Sequence, residues 1–261
     1  MPHAASLGLG NQRQVRSTRK VDLVTEALKA QLIDGQLPPG CTLSVQELSQ
    51  GFGVSKQPVM DALRRLQEAG FVEILPQIGV RVVDPSPRDA EDFFVVFSAL
   101  EGVVFALAAQ RRTEEDLAHV RAAITVMNAG MQTPGLPATA HRDTNRQLHA
   151  AIHRAAHSPV AADAASACWD RSDFLLSTWH VFDQIPLEDE TRRNAQIAEA
   201  IEKRDAQAAR ELAEAKILSV RKLMIAGFHK NEAGHAEPQE DVPGWPGDRS
   251  ALSRVLAGES P

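Results

Sequence analysis

The sequence predicts a mainly α protein, an N-terminal winged helix-turn-helix followed by an all-helical domain. Two observations lead there. Between Val21 and Val83, helical patterns give way to two short β-type runs joined by a turn. From residue 88 to about residue 228 the apolar spacing is helical throughout, and only 5% of the residues are aromatic, as expected where strong helix formers dominate.

The opening stretch, MPHAASLGLGNQRQ, has no periodicity, so residues 1–16 are expected to form a disordered arm. From Val21 the spacing V-x-x-V-x-x-A-L-x-x-x-L-I predicts a helix ending at Asp34-Gly35, and LPPG predicts a turn. In SVQE, Ser44 and Glu47 have the spacing of a capping box, which opens a short helix. Ser55 caps a second helix that tolerates Pro58 in its first turn and stops at Gly70. Val54, Val59, Ala62, Leu63 and Leu66 are available to hold it against the other helices. FVEIL, PQIG and VRVV then predict strand, turn and strand, closing a first domain over 17–84. DPSPRD marks the boundary. Six helical pieces follow over 88–110, 114–131, 140–156, 159–182, 189–203 and 206–228, within a second domain of 88–230. They are broken by TPGLP and around Ile185-Pro186. Residues 231–261 are polar and rich in Pro and Gly, and a flexible tail is expected.

Charge is unevenly spread. Residues 1–83 carry 9 Lys and Arg against 7 Asp and Glu, a net of +2, within a chain whose net is -6. A mildly basic end on an acidic body is weak support for nucleic-acid binding. Cys41 and Cys168 form no redox or metal motif, which suits a reducing compartment. The most apolar run, 93–109, has Glu101 at its middle and predicts a buried helix in place of a membrane span. The expected location is the cytoplasm, with no membrane partner.

Two short helices, a Gly-containing turn and a hairpin make a winged helix-turn-helix plan. Its second helix opens with Ser55, Lys56 and Gln57, small or long polar residues able to enter a major groove. The stretch LKAQLIDGQLPPGCTLSVQELSQGFGVSKQPVMDALRRLQEAGFVEILPQIGVRVV closely resembles the DNA-binding domain of GntR-family bacterial transcription regulators. The resemblance extends over I-x-G-x-L-x-P-G, ELS, the G-V-S turn, the A-L-x-x-L helix and a Gly in the wing. It implies DNA contact by Gln46, Ser55, Lys56, Gln57, Arg64 and the wing around Gly79. Two departures stand out. The family usually has Arg where Lys56 and Met60 stand, and neither replacement offers the bidentate guanidinium fork.

The all-helical part resembles the FadR-type subfamily through LEGVVFALAAQRRTEEDL, the N-x-x-L-H step and IAEAIEKRDAQAAR. That resemblance implies an antiparallel helical-bundle effector and dimerisation domain, which in many members holds a divalent metal. The metal-ligand positions fall on Asn145, His149, Asn194 and Lys216. An amide oxygen is a poor transition-metal ligand and an ammonium is none, so no metal cofactor is expected. A stripe of His141, Asn145, His149, His153 and His157 recurs every fourth residue, but each such step drifts about 40° around a helix. Only His149 and His153 could share an ion, zinc or nickel, and they lack a third ligand from another helix. The expected site is therefore a metal-free pocket of Lys216, His149, Asn145 and Asn194 for a small carboxylate, with Arg142 and Arg171 as further members. On this reading, Lys216→Met abolishes acid binding without unfolding the domain.

The expected function is a DNA-binding transcription regulator, a repressor by family habit. As a homodimer it would bind double-stranded operator DNA at an inverted repeat, with its affinity set by an organic-acid effector. Two alternatives differ in class. One is a metal-dependent enzyme using the His141–His157 stripe with Asp143, Asp170 or Asp173, although no nucleophile elbow, phosphate loop or H-E-x-x-H is present. The other is a binding module that has lost DNA specificity.

Overall fold

A computed structural model describes residues 6–77, 79–131, 133, 138–179, 181 and 186–234. The expected tail beyond Gly234, most of TPGLP and the break before Pro186 lie outside the described residues. The chain forms two compact units that divide between Asp84 and Pro85.

The first unit contains α1 (Ser6–Ile33), β1 (Thr42–Leu43), α2 (Val45–Gly51), α3 (Lys56–Glu68), β2 (Val72–Leu75) and β3 (Gly79–Val82). Helix α1 begins at Ser6, inside the segment expected to be disordered. Gln12, Arg13, Gln14, Arg16, Arg19 and Lys20 are straight-chain residues that cost a helix little, and no proline interrupts them. The Ser44 hydroxyl accepts from the Glu47 amide at 3.3 Å and opens α2, as the spacing predicted. Ser55 stands at the N-cap of α3 without a side-chain cap hydrogen bond. Helix α3 lays Val59, Ala62, Leu63 and Leu66 into the core, and each is at most 1% exposed. Arg65 ties α3 to α1 through Asp22 at 2.6 Å.

The sheet order is β1-β3-β2, antiparallel throughout. Val72 pairs with Val82 and Leu75 with Gly79. Strand β1 was not anticipated, because two residues are too few to show alternation. Gly79 has φ 127°, a conformation that an L side chain rarely adopts, which accounts for glycine at the wing.

The second unit contains α4 (Pro87–Arg111), α5 (Glu114–Met131), α6 (Ala138–Ala155), α7 (Pro159–Thr178), α8 (Leu187–Glu202) and α9 (Ala206–Gly234). Ser86 and Asp89 cap α4: the Asp89 amide donates to Ser86 Oγ at 3.1 Å, and Ser86 Oγ donates to Asp89 Oδ2 at 2.6 Å. Helix α4 packs against α6, α7, α8 and α9. Phe105, Ala108, Val120, Met127, Leu148 and Ile201 form the heart of the core. Gly102 lets α9 approach, since a Cβ there would stand 2.7 Å from Glu214 Oε1.

Two arginines close helix ends reciprocally. Buried Arg112, just past α4, donates to the carbonyls of Ile201 at 3.3 Å and Glu202 at 2.6 Å at the end of α8. Arg204, just past α8, donates to the carbonyls of Gln110 and Arg112 at 3.1 and 3.0 Å. Hydrogen bonds to charged groups are worth about 1.5–3 kcal/mol each. Arg112→Ala is therefore expected to lower stability by about 3 kcal/mol, read from the urea midpoint at unchanged m-value.

Candidate functional site

In the first unit the exposed edge is polar. Gln46 on α2 and Ser55, Lys56, Gln57 and Arg64 on α3 are all exposed. Asp61 organises this edge: Gln57 Nε2 donates to its Oδ1 at 2.9 Å and Arg64 Nη1 at 2.8 Å. Asp61 was not anticipated, although its i, i+4 and i, i+3 spacing to Gln57 and Arg64 is visible in the sequence. These bonds hold an amide and a guanidinium on the exposed face of α3. Met60 is half-buried, and across the wing Arg81 pairs with Glu73 at 3.3 Å.

In the second unit Lys216 of α9 is 6% exposed. Its Nζ donates to Asn145 Oδ1 at 3.1 Å and to Asn194 Oδ1 at 2.9 Å, and it pairs with Glu190 Oε1 at 2.7 Å. An ammonium has three donors, and all three are spent. The Asn194 amide nitrogen turns to Met127 Sδ at 3.2 Å, which leaves its oxygen for the lysine. Burial would raise the Glu190 pKa, but the adjacent ammonium outweighs it and holds the carboxyl below its ordinary value.

A second buried cluster centres on Glu101 of α4, which is fully buried. His149 Nδ1 stands 2.7 Å from Oε2, His153 Nε2 stands 2.8 Å from Oε1, and Trp169 Nε1 donates to Oε1 at 3.0 Å. Burial would raise the Glu101 pKa, yet the two imidazoles bring it down to about 2. His149 is lowered to about 4, chiefly by its own burial and against the pull of Glu101. At neutral pH the arrangement holds an ionised Glu101 beside a neutral His149, whose Nδ1 donates to the carboxylate. His149 Nε2 is then a buried lone pair with no hydrogen-bond partner.

The other stripe members separate. His141 is half-buried, and its Nδ1 has no hydrogen-bond partner. His157 is off the helix, at φ 45° beyond the end of α6, with Nε2 2.8 Å from Asp116 Oδ2. A single five-residue stripe is therefore not present, because α6 ends at Ala155. Of the three acids of the enzyme alternative, Asp170 and Asp173 both pair with Arg146, at 2.7 and 2.6 Å, and Asp143 stands by Arg142.

A cavity of about 280 Å³ opens beside Lys216. Phe94, Trp169, Leu176, Ile217, Val220 and Leu223 supply its apolar wall, and His141, Asn145, Glu190, Arg193 and Lys216 its polar one. Small-ligand sites have this character, a mostly apolar concavity with a few polar groups, and begin at ~300 Å³.

Residues 20–82 match the family described as bacterial regulatory proteins, gntR family, and residues 92–218 match the FCD domain. A relative from Agrobacterium vitis, an HTH-type transcriptional regulator in the TAR-I ttuE-ttuC' intergenic region, is 33% identical over 49% of this chain and 77% of its own length. The chain belongs to the GntR family. It is a DNA-binding transcription regulator with a helical effector domain. Other relatives are transcriptional regulators too. The HTH-type transcriptional repressor RspR of Escherichia coli is 26% identical over 76% of this chain and 86% of its own. The solved structure of E. coli McbR/YncC covers 82% of this chain and 98% of its own with a TM-score of 0.65 at 21% identity. A GntR regulator from Rhodococcus sp. RHA1 follows at 0.64 and 20%, over 81% and 98%. At these identities the two structures speak for the fold alone.

For this GntR regulator the family metal does not fit the residues present. At the implied positions, Asn145 and Asn194 turn their oxygens onto the Lys216 ammonium, which already occupies the oxygen cage as its cation. Of the expected pocket members, Asn145 and Lys216 line the cavity and Asn194 supports Lys216. His149 does not line it and belongs to the Glu101 cluster instead. Arg142 stands 3.6 Å from Asp143, and Arg171 lies over the Phe93 ring at 5.3 Å. Neither arginine lines the cavity. Glu190, Glu101 and Arg193 were missed. Their partners lie 26 to 68 residues away, and no local spacing signals such pairs.

Proposed function

We propose that this regulator acts as a repressor that binds an inverted-repeat operator as a homodimer and is released by a small carboxylate held in the helical domain without a metal. The observation that carries this reading is the cavity beside Lys216, in which a built-in ammonium takes the cation's place. The exposure of Lys56, Gln57 and Arg64 together on α3 favours specific DNA recognition over a module that has lost it. That a relative is named a repressor favours the negative sign. The working compartment would be the cytoplasm, where operator and metabolite meet.

The test is retardation of DNA from the regulator's own promoter, titrated with small organic acids after chelator treatment. Specific binding with a steep salt dependence, relieved by an acid without added metal, is expected. Relief that requires metal would overturn the metal-free part.

Dimerisation is supported by an apolar strip on α4. Val95, Val96 and Val103 are 52%, 59% and 42% exposed, and a second copy of the same helix would cover them. Val96→Glu is expected to give a monomer by sedimentation. Losing the second recognition helix should weaken operator binding by about 100-fold or more.

A second reading is favoured by one observation. Ligand atoms of Glu101, His149 and His153 all lie within 4.8 Å of one another, so α4 supplies the third group that the histidine pair lacked. Zinc or nickel there would have to displace both hydrogen bonds to Glu101. A midpoint raised by zinc in wild type but not in His153→Gln would favour this reading.

A further inference from the structure

We infer that the cavity's anion-binding group is Arg193, and that it selects ligands carrying one carboxylate on a compact apolar body. This rests on the effector reading of the cavity and moves the anchor away from Lys216. The lysine has no hydrogen left to offer: Asn145, Asn194 and Glu190 take all three, and Glu190 cancels its charge.

Arg193 differs. It lies on α8, one residue before Asn194, is half-buried, and lines the cavity. Its Nη1 donates to Ser219 Oγ, which in turn donates to the Lys216 carbonyl at 2.7 Å. Among the described residues no carboxylate pairs with this guanidinium. Its neighbour Arg192 pairs with Asp189 at 2.6 Å, and the cavity's own acid, Glu190, is spent on Lys216. Among the described residues one of its five guanidinium donors is used, and the hydroxyl that uses it holds the group in place.

Two further features bear on the ligand. His141 also lines the cavity, and its buried Nδ1 has no hydrogen-bond partner. That leaves one more polar position for a ligand atom. Of the other lining residues, Phe94, Trp169, Leu176, Ile217, Val220 and Leu223 are apolar, and Ser172 and Ser219 carry neutral hydroxyls. Lys216 is already paired with Glu190, so the lining holds no second unpaired cation for a second charge. A planar carboxylate matches the guanidinium fork bidentately, while the body of the ligand lies against the apolar wall. A dicarboxylate would bury one charge unpaired.

The experiment is calorimetric titration of the full-length, chelator-treated protein with acetate, butyrate, hexanoate and benzoate, alongside hexanamide and benzamide. Wild type is expected to bind at least one of the larger carboxylates and neither amide. Arg193→Met should weaken that binding by about 10- to 100-fold, the range for a charge-assisted hydrogen bond. Arg193→Lys, with the charge but not the fork, should fall between. The substitution is at a half-buried position outside the Lys216 cage, and an unchanged thermal midpoint without ligand would verify the fold. Unchanged carboxylate affinity in Arg193→Met overturns the anchor and leaves the effector reading standing. No carboxylate bound by wild type at about 10 mM, beyond the millimolar range of weak sites, overturns the effector reading and the anchor together.

Discussion

Lys216→Met is expected to destabilise the helical domain by about 3–5 kcal/mol, because it leaves Glu190 as a buried charge without its counter-ion. Both side chains of the pair are under 10% exposed, and the amide oxygens of Asn145 and Asn194 lose their donor as well. This reverses the expectation from sequence, in which the lysine could be removed without harm to folding. A domain of this size has only about 5–15 kcal/mol to lose. Lys216→Met combined with Glu190→Leu should recover much of the loss, since replacing both members of a buried pair by apolar groups is often close to neutral. Urea titrations of the single and double variants check this. A single variant as stable as wild type would mean that Glu190 reaches water.

Glu101→Leu is the second large effect, again about 3–5 kcal/mol, because one carboxylate satisfies three buried N–H groups on α6 and α7. The same cluster makes the domain sensitive to acid. The folded pKa of His149 lies below its unfolded value, so its contribution is complete above pH 6.5 and lost as pH falls toward 4. The folded pKa of Glu101 is also lowered, so its contribution is complete above pH 4.5 and lost toward pH 2. Asp173 works the other way between about pH 6 and 3.8, because burial pushes it up to about 6 against the pull of Arg146. Comparing variants isolates the histidine. The stability gap between wild type and His149→Gln should shrink by on the order of 3 kcal/mol between pH 7 and 4, at 1.36 kcal/mol per pKa unit. A gap that does not change with pH would mean that His149 binds its proton equally well in the folded and unfolded chain.

Local patterns carried most of the architecture. Capping at Ser44, the stop at Gly70, the glycine of the wing and the helical spacing of six segments were all legible, because each depends on residues a few positions apart. The exposed face of α3 was legible for the same reason, since burying Val59, Ala62, Leu63 and Leu66 turns Lys56, Gln57 and Arg64 outward. Strand β1 was not, because its pairing partner Arg81 lies far along the chain from Thr42.

The sequence by itself determined that Lys216, Asn145 and Asn194 would share one place, through the resemblance that aligned them. It also showed that an ammonium among amides suits no metal. Only the tertiary structure decided what that ammonium does. Glu190 comes from α8 to neutralise it, and Arg193, three residues further along α8, is left among the described residues without a carboxylate partner. Likewise the apolar run around Glu101 predicted a buried helix, but not that two imidazoles and an indole would meet the carboxylate there. The physical reason is common to both. A buried charge must find its partners wherever packing brings them, and packing joins residues that the chain keeps dozens of positions apart.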